Sequence, residues 1–134
     1  MCLKLNIREE ENRRKYELTV DWLWKCKKGK TLSTFFEKNN YNHVIIYGMG
    51  ELGQLLREEI SEYVSVCFDR RGKNNMWGDT VDLSEIDERG IILNDSNLVV
   101  ITLMDLDRKI ESSFYHLGFQ GDVLNLYDIV LIYS

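Results

Sequence analysis

Apolar positions change period several times along this chain, and each change marks an element. Residues 1–15 are polar for the most part and read as a frayed or helical start. From Tyr16 to Lys28 the pattern is mixed. Glu17 to Trp22 alternates, Leu23 and Trp24 extend the apolar run, and spacings such as Thr19–Trp22–Leu23 tilt the reading toward a helix. Lys27 to Lys30 reads as a turn. Thr31 to Lys38 is a short helix with Leu32, Phe35 and Phe36 on one face and Thr31 as its cap. The asparagines from Asn39 to Asn42 end it.

His43-Val44-Ile45-Ile46-Tyr47 is a β-branched run, of the length and kind expected for a central parallel strand buried on both faces. Leu52, Leu55, Leu56 and Ile60 then repeat at helical spacing, through about Tyr63. Val64 to Asp69 is a second strand that stops at an acid. Strand, glycine turn, helix and strand make one βαβ unit. Arg70 to Asp79 reads as loop, Thr80-Val81 as the start of a short edge strand, and Leu83 to Asp87 as a helical turn. Asn97 to Leu103 is a strong strand and Asp105 to Leu117 a helix that Gly118 or Gly121 closes. Val123 to Leu126 is a last strand, and Tyr127 to Ser134 a helical turn or strand extension. With no proline in the chain, Gly and Asn mark the breaks.

The pattern predicts a three-layer α/β domain of Rossmann-like type over residues 31–134. Its mostly parallel sheet has about five strands in the order 3-2-1-4-5, and an arm over residues 1–30 packs on it or on a neighbour. The close pair Trp22 and Trp24 needs cover, from this domain's sheet or from a second copy in a homodimer.

Charge refines this picture. The net charge is −5, divided as +4 over residues 1–30 and −9 over residues 31–134. The arm's charges are mixed, which suits a solvated helix face, and an acidic body repels phosphodiester backbones, so no nucleic-acid partner is expected. No apolar run reaches the ~20 residues a bilayer span needs, so no membrane partner is expected and the cytoplasm is the default location. Three scattered cysteines, Cys2, Cys26 and Cys67, and two histidines, His43 and His116, have no metal-ligand spacing. No metal site and no catalytic constellation are expected. Cys67 reads as a small core residue.

The chemistry gathers at Gly48-Met49-Gly50-Glu51-Leu52-Gly53. This GxGxxG spacing follows a strand and opens a helix, and Asp69 ends the next strand. Gly48 allows the sharp turn, Gly50 leaves room for a pyrophosphate, and Gly53 lets helix and sheet approach. Amides at the helix start face the anion, while Glu51 opposes it. Asp69 suits ribose hydroxyls. Arg70 and Arg71 suit a 2′-phosphate that Asp69 would repel, so NAD is preferred over NADP. Thr102, Leu103, Met104 and Asp105 lie at the end of the fourth expected strand, where ligands sit in such sheets; Thr102 suits a ribose or phosphate, and Asp105 a helix cap.

The run from Tyr41 to Gly53, with its Ile-Tyr-Gly-Met-Gly-Glu-Leu-Gly ending, resembles the opening of bacterial Rossmann-like domains of polysaccharide and sugar-nucleotide biosynthesis. These look like the N-terminal half of nucleotide-sugar epimerases and dehydratases. The later strand Leu98 to Thr102 fits the same pattern, and the resemblance spans roughly residues 31–126. It implies a nucleotide-binding or regulatory module for NAD, NADP or a sugar nucleotide. The catalytic half of those enzymes is missing here. Two other readings stand beside it: an interaction domain that dimerises through the Trp22–Trp24 arm around a vestigial site, and an S-adenosylmethionine-dependent methyltransferase-like enzyme.

Overall fold

A computed structural model describes residues 2–70, 80–103 and 107–133 of the chain. Its centre is a parallel sheet of four strands: β1 (Val44–Tyr47), β2 (Val64–Phe68), β3 (Leu98–Ile101) and β4 (Asp122–Asn125), in the order β2-β1-β3-β4. β1 and β3 lie inside the sheet and are buried along their whole length, which is why both read as unbroken apolar runs.

Helices cover both faces, giving three layers. Alternate strand residues point to opposite sides. Val44, Ile46, Leu98 and Val100 face one core, while Ile45, Tyr47, Val99 and Ile101 face the other. The first core is closed by α1 (Cys2–Lys27), α2 (Leu32–Lys38), α3 (Glu51–Glu59) and the C-terminal segment of α6 (Leu126–Asp128) and a π-type turn (Ile129–Tyr133). The second is closed by α5 (Asp107–His116) and the short α4 (Ile86–Arg89). Here Phe114 meets Tyr47, Phe68 and Phe119 edge-on.

The expected five strands in the order 3-2-1-4-5 are corrected to four among the described residues. The edge strand expected at Thr80-Val81 is a single parallel bridge between Val81 and Phe68. Val81 donates to the Cys67 carbonyl and accepts from the Asp69 amide. The chain then leaves the sheet at once, because Asp82 and Glu85 form a reciprocal capping box on the turn Leu83–Glu85. That local cap ends the pairing after one residue.

The N-terminal arm is one continuous helix and an integral part of the first core. Leu18 and Trp22 are buried there, whereas Trp24 is exposed. Trp22 donates to Glu59 of α3 at 2.9 Å, and Cys26 contacts the same carboxylate at 3.1 Å. The ambiguous run over residues 16–28 reflects a helix that is apolar on two sides. Thr31 does sit at the start of α2, but its side chain makes no capping bond. α3 ends at Glu59, and a 3-10 turn over Ser61–Tyr63 leads into β2. The C-terminal residues form helical turns, with Ile129 and Val130 buried.

Candidate functional site

The strands end level. Tyr47 pairs with Phe68 and with Ile101, and Ile101 pairs with Asn125. Gly48, Asp69 and Thr102 are therefore each the first residue past a strand, gathered at one edge of the sheet. β1 connects outward to β2 on one side, and β3 lies on its other side. In open parallel sheets ligands sit at such a reversal of strand order, beyond the carboxyl ends of the strands, here β1 and β3.

The three glycines have different reasons. Gly48 has φ +102°, a left-handed conformation that a side chain strains. A Cβ there would also lie 2.4 Å from Thr102 Oγ1. At Gly53 a Cβ would lie 1.9 Å from the Gly48 carbonyl oxygen, so helix and turn can touch only with glycine. Gly50 has φ −74°, which any residue adopts, and a Cβ there would meet nothing within 4 Å. Packing demands glycine at 48 and 53 and leaves position 50 open.

Gly50 is also the N-cap of α3, and no side chain caps the helix. The first intrahelical bond runs from the Gln54 amide to the Gly50 carbonyl. The amides of the first turn thus point out of the helix end beside the open face of Gly50.

Asp69 is buried, and its Oδ2 accepts the Met49 amide at 2.7 Å. The carboxylate at the end of β2 is thereby pinned to the middle of the glycine turn. Of the other expected site residues, Met49 and Leu52 direct their side chains into the first core. They can offer a ligand only backbone. Thr102 is buried, and its hydroxyl lies 2.7 Å from the Gly48 carbonyl and 3.2 Å from that of Tyr47, so it latches β3 to the turn. Leu103 packs against Gly48. Arg70 is exposed beside Asp69. Arg71, Met104 and Asp105 lie outside the described residues.

Three residues at this edge escape a reading of the sequence. Lys15 of α1 reaches the start of α3 and binds Glu51 at 2.9 Å. Its hydrogen bond and charge hold the Glu51 carboxyl below the usual carboxylate range, so the acid that opposes an anion here is neutralised by a partner 36 positions away. Asn125 donates to the Leu103 carbonyl at 3.0 Å and accepts the Tyr127 amide at 2.8 Å, tying β4 to the segment after β3. Gln54 donates to the Met49 carbonyl. No local pattern signals any of the three. Burial, then the charges of Asp69 and Asp82, raises the pKa of Tyr47 beneath the turn.

Among the described residues, no group of three or more His, Cys, Asp or Glu side chains is placed to hold a metal ion. No described helix is long and apolar enough to cross a membrane. Comparison with known proteins finds no family model, no curated protein and no solved structure that matches this chain.

Proposed function

We propose that this chain is a nucleotide-binding module of Rossmann-like type, taking NAD(P) or a sugar nucleotide in an accessory, non-catalytic role. The observation that carries the reading is the glycine at position 50. Neither its dihedral angles nor its neighbours require glycine, yet it stands where a phosphate would meet the start of α3. In this reading the amides of Glu51, Leu52 and Gly53 face the phosphate, and Asp69 takes the ribose hydroxyls. Met49 and Leu52 contribute backbone and packing alone, and Thr102 and Leu103 wall the site. Asp69 opposes a 2′-phosphate and Arg70 favours one. The buried acid is bonded to the turn while the arginine is exposed, so NAD is preferred over NADP. The link to sugar-nucleotide and polysaccharide metabolism rests on the resemblance of residues 41–53, and such a module works in the cytoplasm.

A thermal-shift panel of NAD, NADP, sugar nucleotides, S-adenosylmethionine and CoA tests the reading. A ligand at 100 times its Kd stabilises the fold by about 2.7 kcal/mol, which is readily seen. Stabilisation by NAD or a sugar nucleotide supports the proposal, and stabilisation by S-adenosylmethionine alone supports the methyltransferase-like alternative. Silence across the panel at millimolar concentration counts against any nucleotide site.

A further inference from the structure

Helix α1 carries a second apolar stripe that is exposed among the described residues. At about 100° per residue, Leu18 and Trp22 point into the core, while Tyr16, Val20, Leu23 and Trp24 share a sector on the opposite side. Tyr16 is 70% exposed, Leu23 58% and Trp24 59%. Glu9 falls in the same sector toward one end and Lys27 at the other, about five turns away. Lys27 Nζ lies 5.8 Å from the Trp24 ring centre, so the basic end and the aromatic end form one patch.

We infer that this stripe pairs with the same stripe of a second copy, as an antiparallel helix pair about a two-fold axis passing between Tyr16 and Val20. That axis makes the surface self-complementary. It sets Glu9 of each copy against Lys27 of the other and Tyr16 against Val20, while Arg13, which lies in the same sector and is held by Glu10 and Glu17, faces Leu23. A parallel pair would set Glu9 on Glu9 and Lys27 on Lys27, so charge selects the antiparallel arrangement. Trp22, buried and bonded to Glu59, takes no part. About that axis the two helices overlap from residue 9 to residue 27, about 27 Å, and a strip about 10 Å wide along that stretch offers on the order of 270 Å² per copy. An interface that small makes a weak dimer, which forms only toward the upper end of the micromolar range. The stripe is separate from the glycine turn, and the pairing needs no nucleotide.

Sedimentation of the full chain from about 1 to about 300 μM, a span that reaches those concentrations, tests this inference. The mass should rise from the 15.8 kDa monomer toward twice that value. Trp24→Glu should keep the chain monomeric at every concentration with an unchanged melting temperature, because the side chain is exposed. Glu9→Lys and Lys27→Glu should each weaken the dimer roughly tenfold, and the two together should restore it. A chain that stays monomeric throughout overturns the inference, as does a dimer that survives Trp24→Glu. A double reversal that fails to rescue overturns the antiparallel arrangement.

Discussion

The carboxylate of Asp69 and the backbone amide of Met49 meet at 2.7 Å, joining the end of β2 to the glycine turn after β1. This bond answers two needs. It pairs a buried amide, and it holds an anionic acceptor at the carboxyl edge of the sheet. Asp69→Ala removes this acceptor from the buried Met49 amide and should destabilise the fold by about 1–3 kcal/mol, measured by urea denaturation. Asp69→Asn keeps a carbonyl acceptor and should cost less. Equal and negligible losses in both variants would show that the bond does not organise the turn.

Positions 50 and 53 should separate packing from ligand approach. Gly53→Ala drives a methyl group to 1.9 Å from the Gly48 carbonyl, and should cost about 3 kcal/mol or more, or prevent folding. Gly50→Ala meets open space at an ordinary φ, and the freedom it removes from the unfolded chain offsets its poorer N-cap, so stability should change by less than about 1 kcal/mol. Melting curves of the two variants check this contrast. Similar losses in both would mean that the steric account of the turn is wrong.

Much of this edge was legible in the chain itself. A β-branched run flanked by glycines at the GxGxxG spacing specifies strand, turn and helix locally, and β1, α3 and β2 fall where that pattern puts them. α1 was harder to read, since Leu18 and Trp22 serve the core while Tyr16, Leu23 and Trp24 face out, and two apolar sides blur the helical period. The expected edge strand at Thr80-Val81 failed because a capping box two residues later, which no strand pattern weighs, redirects the backbone. Lys15–Glu51 and Met49–Asp69 are tertiary meetings, and residue spacing carries no signal for them.

Lys15 should matter to an anionic ligand far more than to the fold. The Lys15–Glu51 pair is largely exposed, so Lys15→Ala should leave the denaturation midpoint nearly unchanged. It also leaves the Glu51 charge unopposed at the start of α3. Nucleotide affinity should then fall by roughly three- to tenfold at low salt, and Glu51→Gln should raise it. Titration at two ionic strengths checks both signs. An affinity indifferent to both substitutions would place the phosphate away from α3.

Cys26 should be an unreactive thiol. Burial, and then the adjacent Glu59 carboxylate through its hydrogen bond and charge, pushes its pKa up to about 11 from an ordinary 9.0. A raised pKa favours the protonated thiol in the folded state, so this contribution to stability is complete below pH 9 and is lost as pH rises through about 11. At pH 8 the thiolate fraction is about a hundredfold below that of a free thiol, and iodoacetamide labelling of the Cys26 peptide should slow accordingly. Glu59→Gln should restore part of the labelling, since burial remains. Rapid labelling of the folded wild-type chain would contradict this environment.

Calorimetric titration of NAD and of a sugar nucleotide into the wild-type chain and into Gly50→Ala, each with its melting curve recorded, tests the central claim most directly. One nucleotide should bind per wild-type chain, and Gly50→Ala should bind at least about tenfold more weakly while its melting temperature moves by only a few degrees, because its methyl group fills only the space a pyrophosphate needs. Binding of equal strength in the two chains, or no binding to either, would contradict a phosphate site at the start of α3.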